Sequence, residues 1–127
     1  GTPNLAGLHG LLAAVENKPE CQYQRQDFAT LLADLRKISN LSVYTASDIE
    51  WQGPVISMTC SHLEPGAFGE RLYQEFGIET RIGLHCAPLA HRHLGTFPTG
   101  TVRFAFSPYH QRKDFDYLLE AVRKITE

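Results

Sequence analysis

The apolar positions along the chain follow two periods. Phe28, Leu31, Leu32, Leu35 and Ile38 recur at the three- and four-residue steps of one helix face, and Asn40 is expected to close that helix. Phe115, Leu118, Leu119, Val122 and Ile125 repeat the pattern, placing a last helix from about Gln111 to Thr126 and burying those five positions. Leu72 and Phe76 mark a third stripe, with Pro65 suited to its first turn and Gly77 to its stop. An Ala/Leu-rich run from Leu5 to Val15 reads as a fourth helix, ended by Asn17, Lys18 and Pro19. Strand-like runs lie between: Leu41 to Thr45, Val55 to Cys60, Ile78 to Gly83 (a strand or a strand end) and Thr101 to Phe106.

Helices alternate with strands, but the strands are few and one connection, Thr45 to Val55, is tight. That pattern predicts an α/β (α+β) fold, a small, mostly antiparallel sheet with helices on one face. The N-terminal helix fits this layer least. Residues 1–19 are therefore expected to be a linker helix or a remnant of a larger domain, and residues 20–127 the small domain itself. Residues 84–100 read as one long loop, and long ordered loops are usually functional.

Composition narrows the classes of function. With 12 Lys+Arg against 14 Asp+Glu there is no basic surplus, so neither nucleic acid nor an anionic membrane is an expected partner. No apolar run approaches the ~18 residues of a membrane span. The start, GTPNLAGLHG, has neither a basic segment nor a cleavage pattern, and no initiator Met precedes it; a piece of a longer protein is expected. Cys21, Cys60 and Cys86 show no short spacing, which argues against a disulfide framework or a CxxC metal site and fits a reducing, cytoplasmic setting.

The densest chemistry lies in RIGLHCAPLAHRHLGTFPTGTVR, from Arg81 to Arg103. A cysteine is nucleophilic only as its thiolate and needs exposure with positive charge or a base nearby. Cys86 has His85 beside it, Arg81 before it, and His91, Arg92 and His93 after it. The alternatives are an ordinary loop thiol, or a zinc site formed by His85, Cys86, His91 and His93, for which adjacent His-Cys ligation is awkward. Arg103 alternates away from Val102 and Phe104, and its planar fork suits a carboxylate; a salt bridge to one of the chain's own acids is the other reading. Thr2, in Gly1-Thr2-Pro3-Asn4, reads as a phosphate-contacting turn or a helix cap.

Taken together, these segments resemble the C-terminal part of the class V aminotransferase and cysteine desulfurase family, pyridoxal-phosphate enzymes of the aspartate-aminotransferase fold type. The resemblance spans GTPNLAGLHGL, Glu64-Pro65, Phe76-Gly77-Ile78, the run from Arg81 to His91, Gly100-Thr101-Val102-Arg103 and the Ser107-Pro108-Tyr109 turn. It implies that Cys86 takes sulfur from L-cysteine and carries it as a persulfide to an acceptor protein, leaving alanine. It also implies that Arg103 grips the substrate carboxylate, with Arg81 and His85 in supporting roles. Thr2 would reach the phosphate of the pyridoxal 5'-phosphate held by the partner subunit of a homodimer. No metal is implied. The Schiff-base lysine would lie upstream, so this chain alone is expected to bind no cofactor and to be inactive. A class V aminotransferase, a selenocysteine lyase or a non-catalytic binding domain are the alternatives. One departure stands out: the last helix opens with His110-Gln111-Arg112-Lys113 where the family usually has Asn-Thr and an acid, which is expected to cost stability.

Overall fold

A computed structural model describes residues 1–126; Glu127, the last residue of the expected small domain, lies outside the described residues. Strands β1 (Leu41–Tyr44), β2 (Val55–Cys60), β3 (Arg81–Gly83) and β4 (Thr101–Ala105) form one sheet in the order β1-β2-β4-β3. All three pairings are antiparallel. The helices are α1 (Leu5–Glu16), α2 (Arg25–Leu35), α3 (Pro65–Phe76), α4 (Pro88–His93) and α5 (Arg112–Thr126).

One face of the sheet makes the core. Alternation turns Ile56, Met58 and Cys60 of β2, and Val102 and Phe104 of β4, to the same side, where all are buried. Against them pack the apolar stripes of α2 (Phe28, Leu31, Leu32, Leu35), α3 (Phe68, Leu72) and α5 (Phe115, Leu118, Val122, Ile125). Gly69 of α3 is kept small by Ile82 of β3, whose side chain occupies the place a Cβ there would take.

Local signals explain the helix ends. The Asp27 carboxylate accepts the Gln24 N–H at 2.9 Å ahead of α2, and Asp114 accepts the Gln111 N–H at 2.7 Å ahead of α5. Gly77 closes α3 in the left-handed region at φ 65°, with its N–H on the Tyr73 carbonyl. At the far end of α5, Arg71 donates to the Ile125 carbonyl and Asn40 to that of Thr126, placing a cation and an amide where the helix needs donors.

Four expectations need correction. The second helix stops at Leu35, so Ile38 packs from the turn beyond it and Asn40 is not its cap. Leu119 is half-buried rather than buried, because α5 meets α2 on one side and α3 on the other without covering it fully. The segment 84–100 is no continuous loop: it contains α4, started by Pro88 and ended by Leu94 and Gly95. The basic opening of α5 is also compensated, since Arg112 pairs with Asp27 of α2 and with Asp116 one turn on, each at 3.1 Å. In contrast, α1 has no buried residue, and Leu5, Leu8, Leu11, Leu12 and Val15 all face outward from the rest of the fold.

Candidate functional site

The face of the sheet opposite the helices is mainly polar, with Val55 and Ala105 as a paired apolar exception at one end. Tyr44 of β1 stands opposite Ser57 of β2, Ser57 opposite Arg103 of β4, and Arg103 opposite Arg81 of β3. Directly opposed residues of an antiparallel pair share a face, so these four side chains form one row across the sheet. Like charges set opposite each other destabilise a sheet. Yet among the described residues neither arginine has an acidic partner; the ion pairs lie on the helical layer and its connections. The intramolecular salt bridge considered for Arg103 is therefore not what the structure shows. Two guanidinium groups without an acidic partner among the described residues stand side by side on this face, and their forks have the chemistry that carboxylates and similar anions match.

The cysteine segment starts and ends beside this row. Gly83 (φ 104°) and Gly100 (φ 82°) meet back to back at its base; a Cβ on Gly100 would lie 2.2 Å from the Gly83 carbonyl carbon and oxygen. Only glycine permits that approach. From this neck the chain passes through His85 and Cys86 at φ 51° and 60°, two consecutive side-chain-bearing residues in the left-handed region. Such a conformation costs roughly 1 kcal/mol or more per residue. It turns the chain outward, and the Cys86 thiol is exposed. Beyond it, α4 folds back: the buried His91 ring sets Nδ1 2.7 Å from Thr96 Oγ1, and the His91 carbonyl accepts the N–H groups of Thr96 and Phe97.

His85 links loop and sheet. Its Nε2 lies 3.2 Å from Oγ1 of Thr101, a fully buried residue two positions before Arg103 on the same strand face. Its Nδ1 is buried without a partner. Burial first, then the charge of Arg103, and after these His91 and Arg81, hold the imidazole below its ordinary pKa; a bond at Thr101 opposes them.

The structure therefore brings together His85, Arg103 and Arg81, with Cys86 next to His85 on the exposed turn, and adds Thr101, Ser57 and the His91–Thr96 pair. In the sequence His91 stands out only as a base or zinc ligand near Cys86 and Thr101 only within the Gly100–Arg103 run; Ser57 and Thr96 carry no motif, although the alternation Ser57/Thr59 against Ile56/Met58 carries the signal for the open face. Thr2 is exposed ahead of α1 and does not join the cluster. The zinc alternative lacks a ligand set: among the described residues no three His, Cys, Asp or Glu side chains converge, and His91 is turned to Thr96. The cluster lies on an open face rather than in a cleft. A cleft of about 380 Å³ opens elsewhere, between the end of α3 and the start of α5, and none of the candidate residues lines it.

A family model described as aminotransferase class-V matches residues 1–118. The chain belongs to the class-V aminotransferase family. Within it, the cysteine desulfurase CsdA of Escherichia coli (strain K12) is 32% identical over 133 residues, covering all of this chain and 31% of that protein. A probable cysteine desulfurase of Mycolicibacterium paratuberculosis is 34% identical over 136 residues, covering the whole chain and 19% of that protein. A crystal structure of Escherichia coli CsdA in an S-sulfonic acid form superposes with a TM-score of 0.80 at 28% identity, covering 98% of this chain and 31% of that one. The fold is also that of the apo cysteine desulfurase from Thermococcus onnurineus, with a TM-score of 0.77 at 22% identity. The chain thus spans about a third or less of these class-V relatives. Among the described residues no helix is long and apolar enough to cross a membrane.

Proposed function

We propose that this chain is the small domain of a pyridoxal-phosphate-dependent cysteine desulfurase, contributing the substrate-carboxylate seat and the sulfur-carrying thiol. The observation that supports it most is the pair Arg81–Arg103: two cations without counter-charge, on the same open face as the loop that presents an exposed cysteine. In this reading Arg103 and Arg81 hold the carboxylate of L-cysteine, which fixes the substrate sulfur within reach of Cys86. The Cys86 thiolate attacks that sulfur. A sulfur–sulfur bond forms, the substrate carbon–sulfur bond breaks with its electron pair left on carbon, and protonation there yields alanine. Cys86 is left as a persulfide, and its exposure on a protruding turn lets an acceptor protein or a reductant remove the terminal sulfur.

The chain's residues fit only part of the cofactor's needs. Thr2 offers a hydroxyl ahead of a helix, suited to a phosphate, and is assigned to the partner subunit's cofactor in a homodimer. Of the four lysines, Lys37 is paired with Asp34 and Lys124 with Glu120, while Lys18 and Lys113 lie outside the sheet. None stands on the open face. When bound, the cofactor supplies the electron sink for carbon–sulfur cleavage; the residues that attach it belong to the longer protein, and this chain alone is inactive. The wholly exposed apolar α1 supports assigning residues 1–19 to a neighbouring large domain, with 20–127 as the small domain.

The test uses the longer protein that carries this chain, wild type against Cys86→Ala and Cys86→Ser. With L-cysteine, the wild type releases alanine and gains the mass of one sulfur on the peptide containing Cys86. Both variants retain cofactor absorbance but gain no sulfur. Undiminished sulfide release by Cys86→Ala overturns the assignment and leaves an aminotransferase or lyase reading.

A further inference from the structure

We propose that His85 is a positioning residue: in its neutral form it latches the cysteine loop onto β4, and the positive charge of the Arg81–Arg103 pair decides when that latch holds. The loop needs a latch. Two consecutive residues, His85 and Cys86, sit in the left-handed region as the centre of a turn closed by the Ala87 N–H on the Leu84 carbonyl at 2.8 Å; that bond keeps the turn's shape but does not fasten it to the sheet, and neither side-chain-bearing residue favours the conformation. The side-chain contact that ties this turn to the sheet is His85 Nε2 to Thr101 Oγ1, at 3.2 Å on a fully buried residue. Further along, His91 and Thr96 close α4 upon itself, but that bond lies within the loop and does not fasten it to a strand.

Charge makes the latch conditional. The groups facing the His85 ring are Arg103 from β4, Arg81 from β3 and His91 from α4, whose ring centroid is 5.6 Å away. None is acidic, and the Nδ1 that would take up a proton is buried without an acceptor. A third cation at this point is repelled by both arginines and its Nδ1 has no partner to replace water, so protonation favours the swung-out loop. Once a carboxylate covers the arginine pair, the repulsion falls and the latch tolerates protonation. Substrate occupancy and loop position are thereby coupled through His85. The consequence for sulfur transfer rests on the reading of Cys86 as sulfur carrier; the latch itself does not.

Nitrogen-15 NMR on the isotopically labelled chain tests the latch without any activity. In the wild type, the heteronuclear NOE of residues 85–87 is high at neutral pH and collapses as pH falls through the His85 midpoint, which lies below the ordinary value of about 6.5. Arg103→Gln, mimicking a neutralised pair, shifts that midpoint upward. His85→Gln, which can still reach Thr101 but takes up no proton, keeps the turn ordered at every pH. His85→Ala and Thr101→Val both lose the order at all pH values while the amides of β3 and β4 stay protected. Loop order that is independent of pH in the wild type, or intact in both His85→Ala and Thr101→Val, overturns the proposal. In the longer protein, His85→Gln removes the acid limb of sulfur transfer. A wild type with no sulfur transfer but with the expected NMR behaviour would sink the desulfurase reading and leave the latch standing.

Discussion

Neutralising either arginine of the cross-strand pair is expected to stabilise the protein. Arg81 and Arg103 are directly opposed in an antiparallel ladder, which sets their Cβ atoms about 5 Å apart. Two unit charges at about 6 Å repel by ~0.7 kcal/mol in bulk water and by ~3 kcal/mol at an effective dielectric of 20. Arg81 is exposed and Arg103 half-buried on an uncovered face, so the lower end applies and about 0.5–1 kcal/mol is expected. Arg81→Gln and Arg103→Gln should each raise the urea unfolding free energy by about that amount. The double variant should gain no more than either single one, since removing the second charge relieves no further repulsion; the coupling equals the repulsion itself. In 1 M NaCl, where the Debye length is about 3 Å, the gains should shrink toward zero. The reasoning is refuted if either substitution costs more than about 1 kcal/mol, or if the two gains add. The arginines would then be knitted into the fold rather than held in reserve for an anion.

Four further outcomes follow from particular contacts. Gly100→Ala places a Cβ 2.2 Å from the Gly83 backbone at φ 82°, and should cost at least about 3 kcal/mol in urea; a loss under ~1 kcal/mol would show that the neck can open. Gly66→Ala, inside α3 with open space around it, should instead gain about 0.5–1 kcal/mol. Removing residues 1–17 should leave the urea midpoint unchanged because α1 buries nothing, while a fall in the midpoint would reveal a contact with the core. Asp27 is held below the ordinary carboxylate range chiefly by the Gln24 N–H and next by Arg112, against the effect of burial. A depressed folded pKa stabilises above the unfolded value and is lost as pH falls through the folded one. Asp27→Asn should therefore lower thermal stability at neutral pH, with the deficit fading below about pH 4; an equal deficit at both ends would assign the effect to something other than charge.

The fold was legible wherever a period ran long enough to identify a buried face. The stripes of α2 and α5 needed no tertiary information, because four or more apolar positions in register point to one side; α3 and the run Val55–Cys60 were marked by fewer apolar positions together with their Pro, Gly and β-type boundaries. What escaped notice was short or polar. The six residues of α4 carry two histidines and an arginine and no apolar stripe, so the helix is visible only once His91 is seen buried against Thr96. Arg103 could be placed by alternation, but its lack of an acidic partner depends on which strand lies beside it, and β4 is inserted between β2 and β3 out of sequence order. The neighbour relation of Arg81 and Arg103, 22 positions apart, comes from topology. So does the contact between His85 and Thr101. A sequence can nominate reactive groups; the sheet order decides which of them meet.

That order also separates stability from chemistry. The helix-facing side of the sheet holds the apolar residues whose loss would unfold the domain, and its ion pairs lie around the helices, where a reversed charge such as Arg112 finds Asp27 and Asp116. The opposite side is mainly polar, is covered only at Thr101 where the cysteine segment lies over it, and carries the Arg81–Arg103 repulsion unrelieved among the described residues. Strand alternation gives each side its own set of positions, so residues at odd steps of β4 can be chosen for an anion while those at even steps are chosen for packing. Thr101 is the point where the two requirements meet: it is fully buried like a core residue, yet its hydroxyl faces the loop. A hydroxyl at such a depth is worth retaining only if it meets a partner, and the partner it meets is the residue next to Cys86. The position of the thiol is thus set from within the sheet, by a bond that packing protects from water and that the neighbouring arginines keep sensitive to charge.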